Sequence, residues 1–196
     1  VIYDIGACVG TWSLLAKSIF PASQIHAFEP IARNCECFRN STKNLLGVTL
    51  HPVGLAKEEG VKTLHLLNHV DASSVLEPTE PAKKEYGLNE TSQEDIWMAA
   101  LDSYGIQKNI PRPDLIKLDI QGYELEAMRG AEQCLAHARA VICEVSVRPL
   151  YHGQPFFWEL IEFFGRRGFH PYALSVDTPL GVPFWQTDVL FLRESH

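Results

Sequence analysis

The stretch that decides the fold opens the chain and reads VIYDIGACVGTWS, residues 1–13. Its apolar start up to Ile5 predicts a buried strand, and Gly6 and Gly10 predict a tight turn. From Thr11 onward the apolar side chains recur at helical spacing and predict a helix. Strand, glycine turn and helix in this order are typical of the nucleotide-facing edge of a doubly wound α/β domain.

Two residues of this turn favour one kind of nucleoside. Cys8 stands where the dinucleotide fingerprint G-x-G-x-x-G has its second glycine, so a side chain occupies the place where a pyrophosphate would approach the backbone. The carboxylate of Asp4, just before the turn, would repel a diphosphate and attract a cation. A nucleoside with positive charge and no phosphate suits this turn, and S-adenosylmethionine, with its sulfonium and ammonium groups, fits that description.

The rest of the chain continues the alternation of strands and helices. Strands are predicted at 24–28, 48–55, 115–119 and 140–147, with helical patterns between them, and 169–175 and 188–193 read as a closing hairpin. We therefore predict one α/β domain over residues 1–196, Rossmann-like, with a mostly parallel sheet, helices on both faces and a C-terminal antiparallel hairpin. Residues 60–67 predict a further strand or hairpin.

A polar stretch broken by prolines and a glycine follows and predicts a long loop over residues 68–95. A loop of this length in a compact domain is often a lid or a binding loop. Small polar residues within it, Ser73 and Ser74, could line a ligand. A solvated insertion is the equal alternative.

The strand ends predict the site, because ligands on such a sheet lie outside the carboxyl ends of the strands. Glu29 ends the second predicted strand and is placed to accept hydrogen bonds from ribose hydroxyls, with capping of the next helix as the alternative. The predicted cofactor-binding residues are Asp4, Gly6, Ala7, Gly10, Thr11, Trp12, Glu29, Pro30, Gly54, Ser73, Ser74 and Asp119.

Three residues are candidates for a catalytic role near the acceptor: Asp119 first, Glu144 second and His152 third. A salt bridge to Lys117 or a contact with a helix N-terminus is the structural alternative for Asp119, and a solvated loop position is the alternative for His152. Asp119 and Glu144 end neighbouring predicted strands, so a Mg²⁺ ion held by these two carboxylates and water is a second hypothesis.

Composition limits the class of protein. The chain has 196 residues and a net charge of −7, which argues against broad nucleic-acid binding. Five cysteines without a C-x-x-C pair indicate reduced thiols and a cytoplasmic protein. The sequence has no apolar run long enough to predict a membrane span. Because the chain begins inside a predicted strand, we expect further residues upstream, and a homo-oligomer stays open.

Several motifs together resemble the FkbM-type methyltransferases, from residue 1 to about residue 193. The motifs are DIGACVG at 4–10, FEP at 28–30, SSV at 73–75, LD at 101–102, IKLDIQGYE at 116–124 and RGA at 129–131. The resemblance implies a class I fold with a seven-stranded sheet, dependence on S-adenosylmethionine, and O-methylation of a sugar or another small hydroxylated metabolite. Two positions depart from the family: Cys8, usually Asn, and Gln121, usually Glu.

Two other functions are compatible with the same fold. One is an NAD(P)-dependent oxidoreductase, against which Cys8 and Asp4 both count. The other is a non-catalytic domain that keeps the fold and the cofactor but acts as a binding partner. The presence of Asp4, Glu29 and Asp119 makes catalysis the favoured hypothesis.

Overall fold

A computed structural model describes residues 1–175 and 184–193. The strands in these ranges are β1 Ile2–Ile5, β2 Ile25–Phe28, β3 Val48–His51, β4 Gly54–Leu55, β5 Gly60–Leu67, β6 Glu90–Ala99, β7 Leu115–Leu118, β8 Ala140–Ser146, β9 Phe169–Leu174 and β10 Gln186–Arg193. The α-helices are α1 Thr11–Ile19, α2 Ala32–Thr42, α3 Glu80–Tyr86, α4 Leu101–Gln107, α5 Glu124–Arg129, α6 Glu132–His137 and α7 Phe157–Gly165.

Seven strands form one sheet in the order β3-β2-β1-β7-β8-β10-β9. The first five pair in parallel, whereas β10 runs antiparallel to β8 and β9. The predicted α/β class, mostly parallel sheet and closing hairpin are confirmed. From β1 the chain builds outward through β2 and β3, and it later returns to place β7 on the other side of β1. The junction of β1 and β7 is therefore the switch point at which ligands bind in such sheets.

The two faces of this sheet are covered by different helices, because successive side chains of a strand point to opposite faces. Tyr3 of β1 lies in the main core with Met128 of α5 and Phe164 of α7. Its neighbour Ile2 packs on the opposite face against Ala16 of α1. Helices on both faces, as predicted, thus leave the carboxyl ends of the strands as the open edge.

Strand register brings the ionisable residues of three strands to the α1 face. Asp4 pairs with Lys117 of β7, and Lys117 pairs with Ile142 of β8. Asp119 and Glu144 each follow two residues later, so the period of two returns them to this face. Acidic and basic side chains therefore meet near the switch point although they are far apart in the sequence.

A second, three-stranded sheet in the order β4-β6-β5 stands over the open edge. The strand predicted over 48–55 is wrong in its second half, since β3 ends at His51 and Gly54–Leu55 pairs with β6. Pro52 explains the break, because proline has no N–H to donate to a ladder.

The loop predicted over 68–95 is also wrong in part. Helix α3 occupies Glu80–Tyr86 within it, and β6 begins at Glu90 and pairs antiparallel with β5. The Thr79 hydroxyl caps α3 by accepting from the Ala82 N–H at 3.3 Å. The pairing of β5 with β6 is non-local, so the sequence around residue 90 does not reveal it. A role as a lid stays a prediction.

The predicted hairpin strands are present as β9 and β10, and β10 begins at Gln186, two residues earlier than predicted. Residues 176–183 of the predicted loop lie outside the described residues. Within the described ranges, none of the helices has the length and apolar character needed to cross a membrane.

Candidate active site

The glycine turn after β1 lies against the segment after β7. Gly6 has φ +77°, and a Cβ at this position would lie 1.8 Å from the Asp119 carbonyl oxygen. Only glycine fits this approach. Lys117 reinforces the junction, because its ammonium donates to the Gly6 carbonyl at 3.2 Å. The two loops that border the switch point therefore form one packed unit.

The backbone amides of the turn already have partners. The N–H groups of Gly6 and Ala7 donate to the Phe28 carbonyl at 3.0 and 3.1 Å. The N–H of Cys8 donates to Glu29 Oε2 at 2.9 Å, and Gly10 donates to the Ala7 carbonyl. A dinucleotide-binding turn needs such amides for its pyrophosphate. These four are occupied, which agrees with the sequence argument against a phosphate ligand.

Glu29 is buried at the end of β2, with 4% of its surface exposed. Its Oε1 accepts from the Ile31 N–H at 2.9 Å and from the Asn34 amide at 3.3 Å. Burial raises the pKa of Glu29, and the Ile31 and Cys8 donors partly offset this. The carboxylate is thus held rigidly, and Oε2, whose one donor is the Cys8 N–H, can accept a further hydrogen bond from a ligand.

A partly open cavity of about 690 Å³ lies between Glu29 and the three-stranded sheet, and we call it the first cavity. Seven of the predicted cofactor-binding residues line it: Gly6, Glu29, Pro30, Gly54, Ser73, Ser74 and Asp119. Its apolar wall includes residues that sequence reasoning missed: Phe28, Val53, Leu64, Ile96 and Met98. The sequence signal for these was weak. Phe28, Val53 and Leu64 are ordinary core residues, and Ile96 and Met98 lie in β6, whose pairing with β5 is non-local.

The other five predicted cofactor residues do not line this cavity: Asp4, Ala7, Gly10, Thr11 and Trp12. Ala7 is buried beneath the turn, Gly10 caps α1, Thr11 is exposed, and Trp12 packs beside Ile2. The structure gives no support for a direct ligand contact at these positions.

Asp4 supports the turn from below. Its side chain is fully buried on the α1 face, where Oδ2 accepts from the Ser13 hydroxyl at 2.6 Å. Oδ1 lies 3.7 Å from the Lys117 ammonium and has no hydrogen-bond partner among the described residues. Asp4 lies one residue before the end of β1, and its side chain is buried on the α1 face. Its charge therefore acts on the turn through the Lys117 ammonium.

A second, partly open cavity of about 760 Å³ adjoins the first. The two share the wall residues Asp71, Asp119 and Gln121. Polar and aromatic side chains distinguish the second cavity, which is also lined by His69, Tyr86, Glu144, Tyr151 and Gln186. A group bound in the first cavity can therefore face a group bound in the second.

Two of the predicted catalytic residues meet at this junction. Asp119 Oδ2 lies 3.4 Å from the Lys117 ammonium, so the salt bridge considered as an alternative is present. Burial lowers the pKa of Lys117, but the charges of Asp119 and Asp4 outweigh it and leave that pKa above its usual value. Burial, Asp119 and Glu124 raise the pKa of Glu144 well above the usual carboxyl range. Glu144 therefore holds a proton more tightly than an ordinary carboxyl group does.

The Gln121 carboxamide joins these two acids. Its Nε2 donates to Asp119 Oδ1 at 2.7 Å and lies 3.3 Å from Glu144 Oε2. Its Oε1 lies 2.9 Å from the Tyr151 hydroxyl, and the Gln186 amide donates to Glu144 Oε1 at 2.8 Å. Sequence reasoning marked Gln121 only as a departure from the family and missed Tyr151 and Gln186, whose positions depend on tertiary packing.

The structure does not bring His152 to this site. The residue is exposed and lines neither cavity, and its backbone N–H donates to the Glu77 carbonyl at 2.8 Å. The solvated alternative describes it better, and we leave His152 out of the candidate catalytic group.

The magnesium hypothesis gains no support. No group of three or more His, Cys, Asp or Glu side chains in residues 1–175 and 184–193 is arranged to hold a metal ion. Asp119 and Glu144 share the second cavity, but the Gln121 amide lies between them as a hydrogen-bond donor.

Comparison with known proteins identifies relatives of this arrangement. The 2-O-methyltransferase NoeI of Sinorhizobium fredii is 26% identical over 79% of this chain and 66% of its own length. The hexuronic acid methyltransferase AglP of Haloferax volcanii is 27% identical over 74% of this chain and 55% of its own length. The chain thus spans between about half and two thirds of the length of these relatives.

A solved structure and a family profile agree with these relatives. The methyltransferase FkbM of Methylobacillus flagellatus has the same fold, with a TM-score of 0.63 at 17% identity over 97% of this chain and 42% of its own. The profile described as the methyltransferase FkbM domain matches residues 4–171. That match covers most of the chain and includes the glycine turn, Glu29, Asp119 and Glu144. The protein therefore belongs to the FkbM methyltransferase domain family.

Proposed function

We propose that this protein transfers the methyl group of S-adenosylmethionine to a hydroxyl oxygen of a small polyhydroxylated acceptor, most simply a sugar. One observation carries the proposal: an apolar cavity with a buried carboxylate, Glu29, adjoins a polar cavity with an acid pair, and the two share Asp119. Family membership supplies the reaction class, since the matching profile is that of a methyltransferase domain.

In this proposal the first cavity holds the nucleoside. Glu29 accepts a hydrogen bond from a ribose hydroxyl through the lone pair that Cys8 leaves free on Oε2. The adenine packs on the apolar wall that includes Ile96 and Met98. Burial and the charge of Glu29 raise the pKa of Cys8 to about 11, so its thiol stays neutral beside the ligand.

The sulfonium end then points to the shared wall and the acceptor occupies the second cavity. Methyl transfer is an in-line displacement, in which the carbon–sulfur bond breaks as the acceptor oxygen bonds to the methyl carbon. The hydroxyl proton passes to the Asp119 carboxylate, and S-adenosylhomocysteine leaves as a neutral sulfide. General-base assistance of this kind contributes about 10²–10⁴-fold, and correct positioning contributes a further part of the barrier reduction.

Glu144 has a different role in this scheme. Because its pKa is raised well above the usual carboxyl range, its carboxyl group is protonated near neutral pH and donates a hydrogen bond to the acceptor. Two neighbouring carboxyls with different protonation states divide the work, one removing a proton and one orienting the substrate.

Oxygen as the acceptor atom and a sugar as the substrate class are supported by two features. Relatives include proteins named as a 2-O-methyltransferase and as a hexuronic acid methyltransferase. The second cavity combines the aromatic rings of Tyr86 and Tyr151 with hydrogen-bonding groups of Gln121 and Gln186. Ring faces beside amide and carboxyl groups are suited to a flat, hydroxyl-rich molecule.

The experiment is a methyl-transfer assay with isotopically labelled S-adenosylmethionine. The acceptor panel pairs neutral methyl hexosides with the matching hexuronides and includes an amine series of similar size. Transfer to an oxygen of one sugar series supports the proposal, and transfer confined to the amines contradicts O-methylation. A shift in melting temperature with S-adenosylhomocysteine but none with NAD separates this function from an oxidoreductase, and binding without any turnover favours the non-catalytic alternative.

A further inference from the structure

Gln121 has a conformation that its surroundings enforce. Its φ is +57°, in the left-handed region that non-glycine residues seldom adopt. Backbone strain of this kind persists where neighbouring contacts determine the conformation, and it marks places where a side chain must point in one direction.

Contacts on both sides hold this backbone. The Ser74 hydroxyl donates to the Gln121 carbonyl at 2.7 Å. On either side of Gln121 in the chain, the N–H groups of Ile120 and Gly122 donate to Glu124 Oε1 at 3.0 and 3.1 Å. Glu124 is itself buried at the start of α5. The loop is thus clamped, and the direction of the Gln121 side chain is fixed before any ligand binds.

The carboxamide also has one orientation. The Tyr151 hydroxyl lies 2.9 Å from Oε1 and 2.7 Å from the Ala72 carbonyl, and its single hydrogen donates to one of these acceptors. Asp119 Oδ1 accepts from Nε2 at 2.7 Å, and Oε1 in that place would oppose another acceptor, so Nε2 faces the two acids and Oε1 faces the Tyr151 hydroxyl. Each hydrogen of Nε2 then points to one carboxyl group, and Nε2 lies 2.7 Å from Asp119 Oδ1 and 3.3 Å from Glu144 Oε2.

The remaining oxygens of the pair face other donors. Asp119 Oδ2 faces Lys117 at 3.4 Å, and Glu144 Oε1 accepts from Gln186 at 2.8 Å. Two acids brought together need a proton, a cation or a neutral donor between them. Here a neutral donor, the Gln121 amide, occupies the place between the inner oxygens.

We propose that Gln121 is the positioning residue of the acid pair: its carboxamide holds Asp119 and Glu144 together in place of a metal ion, and Gln121→Glu turns the same place into a divalent-cation site. This inference rests on the proposed function for its catalytic part. Its binding part stands separately, because it concerns Mn²⁺ and the geometry of three side chains.

The first test measures Mn²⁺ binding by calorimetry and by electron paramagnetic resonance, on the full chain without cofactor. Gln121→Glu is expected to bind Mn²⁺ at least about tenfold more tightly than the wild type, since three carboxyl groups then share one site. The double variant Gln121→Glu with Glu144→Gln is expected to lose that gain. Tight Mn²⁺ binding by the wild type that Glu144→Gln abolishes would overturn the proposal, and so would a Gln121→Glu variant that folds but shows no gain.

The second test is the pH profile of methyl transfer. A third carboxyl beside the pair is expected to move the acidic limb of the Gln121→Glu profile upward by about one pH unit, because like charges hold protons more tightly. Tyr151→Phe is the matched control: it frees the amide to rotate without adding charge, and a few-fold lower rate with an unmoved acidic limb is expected. A uniform loss of rate with unchanged limbs in Gln121→Glu would show a merely structural role. If no acceptor is ever methylated, the proposed function fails while the Mn²⁺ result still decides the role of Gln121.

Discussion

The first and second cavities lie side by side, yet they are built in different ways. The first takes its key polar group, Glu29, from the end of a strand next to the glycine turn, and its donors come from Cys8 and Ile31 nearby. The second joins Asp119, Gln121, Glu144, Tyr151 and Gln186, which come from four separate segments. The contrast teaches that the buried carboxylate of the first cavity is held by neighbouring strand ends, whereas the acid pair of the second cavity depends on how the second half of the chain packs.

The largest expected effect separates chemistry from binding. Asp119→Asn keeps the shape of the side chain but removes the base, so kcat is expected to fall by about 10²–10⁴-fold. The dissociation constant of S-adenosylhomocysteine, measured by calorimetry, should change by much less. A loss of S-adenosylhomocysteine affinity as large as the loss of kcat would show that Asp119 contributes mainly to binding in the first cavity. The proposed separation of binding from chemistry would then be wrong.

Glu29→Gln tests the first cavity and is expected to weaken cofactor binding, the property that Asp119→Asn should leave nearly unchanged. A charge-assisted hydrogen bond contributes about 1.5–3 kcal/mol, so the affinity for S-adenosylhomocysteine should fall by about 10–100-fold. The glutamine keeps an acceptor for only one of the two backbone donors, Cys8 and Ile31, so circular dichroism and the melting temperature control for folding. Unchanged affinity would reject the ribose contact. Pro30, which lines the same cavity without a polar side chain, gives a matched control as Pro30→Ala, with a few-fold change at most.

Glu144→Gln sharpens the assignment of two protonation states. If Glu144 works as a neutral acid, the amide replaces it with only a few-fold loss of kcat at pH 7. The wild-type rate should decline at alkaline pH, because the raised pKa of Glu144 is passed and its proton is lost. That decline should be weaker in Glu144→Gln. A rate that instead rises with pH through this range would identify Glu144 as the base.

The smallest effect concerns stability at the clamp beneath Gln121. Burial raises the pKa of Glu124 from 4.5 to about 7. The folded state therefore holds this proton more tightly than the unfolded state, and stability falls as pH rises through that window. Glu124→Gln keeps an acceptor for Ile120 and Gly122 and removes the titration. Its melting temperature should gain a few degrees on the wild type between pH 5 and pH 8, and a constant difference across that range would contradict the assignment.

Parts of this site could be predicted from the sequence because they obey local rules. The turn at Gly6 and the acid at Glu29 follow from the order of strand, glycine and strand end. Asp119 and Glu144 follow from the rule that the carboxyl ends of parallel strands share one edge. Each of these arguments needs only the position of a residue within its own element.

Other parts could not, for equally physical reasons. Asp4 has the right position for a ligand contact, but the period of two also permits the buried α1 face, and register with Lys117 decides it. His152 follows the strand that carries Glu144, yet nothing in the sequence shows that its loop turns outward. The wall built by Ile96 and Met98 requires β6 to pair with β5 across a long connection.

The occupied amides of the glycine turn bear on competition from abundant nucleotides. ATP and NAD share adenosine with the proposed cofactor and are present wherever it is made. The N–H groups of Gly6, Ala7, Cys8 and Gly10 are already engaged, so the turn offers the phosphates no anchor at these amides. We therefore expect labelled S-adenosylhomocysteine to remain bound when an equal concentration of ATP is added. Displacement by ATP would show that the turn does accept phosphate. Selectivity among adenosine compounds would then come from the lack of free backbone N–H groups for a phosphate at this turn.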